Sequence, residues 1–144
     1  MLPTRILGKT KYKATVFGLG GEGILRTTGY FKEAEQVIKK AVEAGINYFD
    51  TAPAYQQSRD YLGKFLWKYA KREHIFLASK THDRGYEGTM MLLEDSLKRL
   101  NTDYLDLLQL HDLRTKEDIN EIFSSNGAIH ALEELKKKGK IRFI

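Results

Sequence analysis

The sequence has no cysteine. That removes disulfides, thiolate metal ligands and cysteine nucleophiles, and it suits an intracellular protein. Proline is nearly as scarce, with 2 residues in 144, and no Gly/Ser/Pro-rich tract or low-complexity segment interrupts the chain. Residues 1–144 therefore read as a single domain without a linker. No stretch approaches the roughly 18 apolar residues of a membrane span. The opening MLPTRILGKT is too short in apolar length and too charged for a signal peptide. These absences point to a cytoplasmic location with no membrane partner, and nothing in the sequence calls for a metal.

Charge of one sign is in mild excess, +5 overall, but the lysines are scattered. The densest group, Lys136-Lys137-Lys138-Gly139-Lys140, lies where a helix ends, and cations there complement the helix dipole while staying in water. No aromatic-basic stripe or nucleic-acid motif accompanies the charge, so a nucleic-acid partner is not expected.

What the sequence does have is a hydrophobic content of 42%, enough for a core, arranged in a repeating pattern. Ala34, Val37, Ile38, Ala41 and Val42 recur at helical spacing, and Gly45 stands where a C-terminal cap belongs. The strand INYF follows. Ser58 is placed to cap a helix with the stripe Leu62, Phe65, Leu66 and Tyr69, and Ile75 to Ser79 is the next strand. Met90, Leu93, Leu97 and Leu100 mark another helix, with Asn101 as its left-handed cap, before the strand Tyr104 to Leu110. Lys116 to Phe123 reads as an extra helix on a loop. Ile129, Leu132 and Leu135 mark the next helix, which Gly139 stops, and Ile141 to Ile144 begins a strand. Upstream, Thr4 to Leu7 forms a small hairpin with Lys11 to Ala14 across Gly8-Lys9-Thr10, and Thr15 to Leu19 reads as a strand. Strands alternating with amphipathic helices predict an α/β fold with a parallel sheet and right-handed crossovers.

Asp50, Lys80 and His111 fall at the C-terminal ends of three successive predicted strands, at nearly equal intervals along the chain. Adjacent strands lie about 4.8 Å apart, so the three ends share one edge of the sheet within roughly 10 Å. That is the edge where α/β sheets and barrels bind ligands. Tyr55 follows Asp50 on the same loop and can fold back over it. Asp50 can orient the Lys80 ammonium, whose positive charge then makes the Tyr55 phenol a better proton donor. His111, as a hydrogen-bond donor, can hold and polarise a carbonyl oxygen. Each residue alone has an ordinary structural explanation; their joint placement is the signal.

The segments TRILGKT, VFGLGG, GINYFDTAPAY, LASKT, LEDSLKRLNTDYLDLLQLH and ALEELKKKGKIRFI resemble those of the aldo-keto reductase superfamily, from near the first residue to Ile144. The resemblance implies a (β/α)8 TIM barrel and reduction of an aldehyde or ketone to an alcohol. It implies NADPH, or NADH, as coenzyme and a small carbonyl compound as substrate. It also implies a catalytic set of Asp50, Tyr55, Lys80 and His111 with Tyr55 as general acid, and Gly20, Gly21, Glu22 and Asp50 as cofactor contacts. Gly18 to Gly23 also fits G-x-G-x-x-G, but that fingerprint needs a helix opening on the glycines, and Ile24 to Tyr30 has no helical stripe.

Four βα units and the start of a fifth strand are readable, where a barrel has eight, so the expectation is the N-terminal half of such a barrel. The loops that grip most of the coenzyme belong, by the resemblance, to the second half. Ending in mid-strand at Ile144 reads as an interruption. Two open sheet edges and an apolar inner face favour association. The alternative to an enzyme is thus an inactive half barrel that works through self-association, as a homo-oligomer, or through a complementing chain.

Overall fold

The structure, a computed structural model, describes residues 2–144. It opens with an antiparallel hairpin of β1 (Thr4–Ile6) and β2 (Lys13–Thr15), in the register Thr4 to Thr15 and Ile6 to Lys13. A 3-10 turn over Gly8–Thr10 joins them, with Gly8 and Lys11 in the left-handed region. The hairpin matches the sequence expectation, shifted because Lys11 belongs to the turn. The strand expected over Thr15 to Leu19 does not form as one piece. The Thr15 amide donates to Asn47 Oδ1 (2.8 Å) and the Thr15 hydroxyl donates to the Phe17 carbonyl (2.6 Å). Those bonds turn the chain, and only β3 (Leu19–Gly20) joins the main sheet.

That sheet is parallel and follows the chain order: β3, β4 (Tyr48–Asp50), β5 (Phe76–Thr81), β6 (Leu105–Leu110) and β7 (Ile141–Phe143). The crossovers are α1 (Phe31–Glu43), α2 (Ser58–Tyr69), α3 (Tyr86–Leu100) and, after the short α4 (Lys116–Ile122), α5 (Ala128–Lys137). Each crossover helix packs on the next, α1 on α2, α2 on α3 and α3 on α5. An unbroken strand order with one such layer of helices is the wall of a β/α barrel; a doubly wound sheet would reverse its order at a switch point.

The helices form where the apolar stripes fall. Ala34, Ile38 and Ala41 of α1, Leu62, Phe65 and Leu66 of α2, Leu93 and Leu100 of α3, and Leu132 and Leu135 of α5 are buried. They meet Phe49, Leu77 and Leu108 from the strands in one core, where each large side chain contributes roughly 1.5–3 kcal/mol relative to exposure. The stops also fall as read: Gly45 (φ +86°) and Gly139 (φ +70°) follow α1 and α5, and Asn101 (φ 50°) ends α3 in the left-handed region. Ser58 departs from its expected role. It is the first residue of α2, not its cap, and its buried hydroxyl accepts from Thr51 Oγ1 at 2.9 Å. The capping box lies instead at α4, where the Thr115 hydroxyl accepts from the Asp118 amide and the Asp118 carboxylate accepts from the Thr115 amide.

The hairpin closes the N-terminal end of the strands. Tyr48 and Phe143 stack on Phe76, and Tyr12 tilts onto it with ring centres 5.0 Å apart. The Tyr12 hydroxyl donates to the His74 carbonyl at 2.9 Å. Nearby, buried Asp106 accepts from the Arg72 and Arg142 guanidiniums and the Leu77 amide, each at 2.9 Å. That leaves the C-terminal strand ends open.

Candidate active site

Four side chains converge at those open ends. Asp50 is the last residue of β4, Lys80 lies near the end of β5, and His111 directly follows β6, its amide donating to the Thr81 carbonyl at 2.8 Å. In-register parallel pairing fixes their spacing, with Asp50 beside Ala78 and Lys80 beside Gln109. Tyr55 rides on the turn after β4. Its amide donates to the Ala52 carbonyl (3.0 Å) and its own carbonyl accepts from the Ser58 amide (2.9 Å).

Lys80 Nζ lies 2.5 Å from Asp50 Oδ1 and 3.0 Å from the Thr51 carbonyl. The pair is largely shielded, with side-chain exposures of 13% for Lys80 and 26% for Asp50. The same ammonium sits 4.9 Å from the centre of the Tyr55 ring. The Tyr55 and His111 rings meet edge to face, centres 5.7 Å apart. Burial pushes the His111 pKa down, and the Lys80 charge lowers it further. The lowered pKa favours the neutral imidazole, which offers one N–H donor and one acceptor nitrogen.

Tyr55, Lys80 and His111 face an open cavity of about 490 Å³ whose other walls are Glu22, Arg26, Ala54 and Asp112. A phenol, an ammonium and an imidazole thus line one cavity that is open to a guest. A cleft of about 530 Å³ lies among Trp67, Arg72 and Tyr104. There Arg72 already donates to Thr102, Ile75, Tyr104 and Asp106.

The glycine-rich stretch divides. Gly20 pairs with Asp50 in register and is exposed, with open space on its side-chain side. Gly21 is buried, its amide donates to the Asp50 carbonyl at 2.7 Å, and a Cβ there would lie 2.1 Å from Ser58 Oγ. Glu22 stands on the cavity rim. After Gly23 comes only a 3-10 turn, Ile24–Arg26, so no helix opens on the glycines as the dinucleotide fingerprint requires. Sequence reading missed Thr51, whose carbonyl holds Lys80, and the wall residues Arg26 and Asp112. Arg26 stands four residues after Glu22, the spacing of a helical ion pair, and that was the one available signal.

Among the described residues, no cluster of three or more His, Asp or Glu is placed to hold a metal ion, and no helix is long and apolar enough to cross a membrane.

A family model described as the aldo/keto reductase family matches residues 16–144. The L-galactose dehydrogenase of Arabidopsis thaliana is 34% identical over 151 residues, covering 97% of this chain and 46% of that protein. The glyoxal reductase of Bacillus subtilis is 36% identical over 127 residues, covering 76% of this chain and 46% of its own length. Among solved structures, an aldo-keto reductase from Bacillus halodurans in its holo form superposes with a TM-score of 0.82 at 31% identity, covering 99% of this chain and 49% of that one. A Bombyx mori aldo-keto reductase in complex with NADP shares the fold, with a TM-score of 0.76 at 23% identity. The chain spans about half the length of the curated relatives it matches.

Proposed function

This chain belongs to the aldo/keto reductase family, and from that premise we propose that its strand-end cluster reduces an aldehyde or ketone to an alcohol with a nicotinamide coenzyme, NADPH or NADH. Residues 1–144 act as a single domain, the N-terminal half of the barrel, in the cytoplasm. The observation that carries the reading is the Lys80 ammonium, fixed by Asp50 at 2.5 Å and set 4.9 Å from the Tyr55 ring on a shared cavity wall.

The coenzyme, when bound, supplies the hydride that reaches the carbonyl carbon. Gly20, in register with Asp50, has no heavy atom within 4 Å of where a Cβ would sit, which leaves its backbone open to an approaching coenzyme. Gly20, Glu22 and Asp50 would contact it; Gly21 would support that wall from beneath, through its bond to the Asp50 carbonyl. Tyr55 donates its proton to the carbonyl oxygen as negative charge grows there, and solvent later restores that proton. Lys80 stabilises the charge left on the phenolic oxygen. Asp50 and the Thr51 carbonyl hold Lys80 in place, and neutral His111 orients the substrate oxygen by its N–H.

The test joins this chain at Ile144 to the C-terminal half of the Bacillus subtilis glyoxal reductase and follows oxidation of NADPH by a simple aldehyde. The reading expects turnover that stops with Tyr55→Phe. Turnover unaffected by that change would overturn it. A second reading, association as an inactive half barrel, is favoured by one observation: β3 and β7 end the sheet with unpaired edges. Sedimentation of the 144-residue chain separates the two, since that reading requires a stable oligomer that neither binds coenzyme nor reduces aldehydes.

A further inference from the structure

Arg26 stands apart among the cavity walls. Its guanidinium lies on the 3-10 turn after β3, and its side-chain bond is to Glu22, at 3.3 Å. A guanidinium has five N–H donors in a planar fork, so most of its hydrogen-bonding capacity remains unspent. The bond to Glu22 is exposed on both sides, 42% for Arg26 and 65% for Glu22. Ion pairs of that kind contribute little and exchange readily, because Glu22 can turn to water without loss.

The other charged groups around the cavity are already engaged. Lys80 is bound to Asp50 and Thr51, and the Asp112 carboxylate is bound by Arg114 at 2.5 Å. We propose that Arg26 is a specificity-determining residue that selects carbonyl substrates bearing a carboxylate, receiving that carboxylate as a bidentate pair while the carbonyl lies toward Tyr55 and His111. Lys80 is neutralised by Asp50 and Asp112 by Arg114, so the Arg26 guanidinium, with most of its donors unspent and only the exposed Glu22 to displace, is the group a substrate charge meets, and its complement is a carboxylate. The proposal rests on the carbonyl-reductase reading of this site, but it concerns binding, which is measured without turnover.

The experiment uses the 144-residue chain and two matched probes, 4-formylbenzoate and its uncharged methyl ester. Binding is followed by NMR through the ring signals of Tyr55 and His111. The wild-type chain is expected to bind the carboxylate about fivefold more tightly than the ester, the size of a charge-assisted pair at a half-exposed site. Arg26→Gln removes the preference, and Glu22→Gln, which frees Arg26, enlarges it. Equal affinities, a preference for the ester, or a preference that survives Arg26→Gln would overturn the proposal. Failure of the joined protein to reduce either probe, with the binding preference intact, would sink the reductase reading and leave Arg26 as an anion-recognition residue.

Discussion

Replacing Lys80 with Met keeps most of the unbranched side chain and removes its charge, so it isolates what the ammonium does. The Lys80 ammonium lies 4.9 Å from the centre of the Tyr55 ring; for a separation on the order of 5 Å, a unit positive charge stabilises a unit negative charge by about 3 kcal/mol in a site of effective dielectric near 20. Roughly half of that charge has formed when the proton is midway to the carbonyl oxygen, which leaves about 1.5–2 kcal/mol in the transition state, or about tenfold to thirtyfold in kcat. Removing Lys80 also strips Asp50 of its partner, and the bare carboxylate repels the forming phenolate, so the single change costs more than this figure. The double change Asp50→Asn with Lys80→Met removes that repulsion and recovers part of the loss. The assay is steady-state aldehyde reduction by the joined protein, with KM recorded separately. The 144-residue chain gives a second, turnover-free readout. The Lys80 charge lowers the His111 pKa, so Lys80→Met must move the His111 NMR titration midpoint upward. A fall of less than about threefold in kcat, with a stationary His111 midpoint, would refute the electrostatic reasoning.

Three further outcomes concern the scaffold. Asp106 is 2% exposed and joins Arg72, Arg142 and the Leu77 amide; Asp106→Ala strands the 17%-exposed Arg72 and should cost about 3–5 kcal/mol. Arg142→Met touches the 53%-exposed partner of the same carboxylate and should cost under about 1 kcal/mol in chemical denaturation. Equal costs would contradict the burial argument. Gly63→Ala places a Cβ 1.9 Å from the Arg99 carbonyl oxygen, a backbone atom that cannot rotate away. A loss of about 1–3 kcal/mol follows, and calorimetry showing an unchanged Tm would disprove that close approach of α2 and α3. Backbone amides of Arg114 and Thr115 and the Arg84 guanidinium hold the Asp118 carboxyl well below the usual carboxylate range. Its contribution to stability is therefore complete above the ordinary Asp pKa and disappears as pH falls through the depressed value. Hydrogen exchange across Lys116–Ile122 should stay slow in moderate acid and become fast at neutral pH in Asp118→Asn; protection unchanged by that substitution would contradict the cap.

The sequence made the repeating units legible because each crossover helix carries its own apolar stripe and stop. Ala34, Ile38 and Ala41 with Gly45, or Leu93 and Leu100 with Asn101, are local signals that tertiary packing reinforces. The convergence of Asp50, Lys80 and His111 was legible for a related reason, since parallel strands in sequential order bring successive strand ends together. What stayed hidden depended on contacts far apart in the chain. Ser58 has the chemistry of a helix cap, but its hydroxyl is claimed by Thr51 and packs against Gly21. Thr15 to Leu19 has the composition of a strand, yet Asn47 takes the Thr15 amide and the chain bends. The Thr51 carbonyl beside Lys80 has no periodic signature, because it owes its place to the loop that carries it, and the one trace of Arg26 was its four-residue spacing from Glu22.

The proposed reduction turns on Tyr55 handing its proton to a carbonyl oxygen while hydride reaches the carbon. Coenzyme labelled with deuterium at the transferring position, incubated with the joined protein and an aldehyde, tests it by mass analysis of the alcohol. The wild-type sequence should give labelled alcohol, and Tyr55→Phe none at equal protein stability. Labelled alcohol formed at the same rate by both would contradict it.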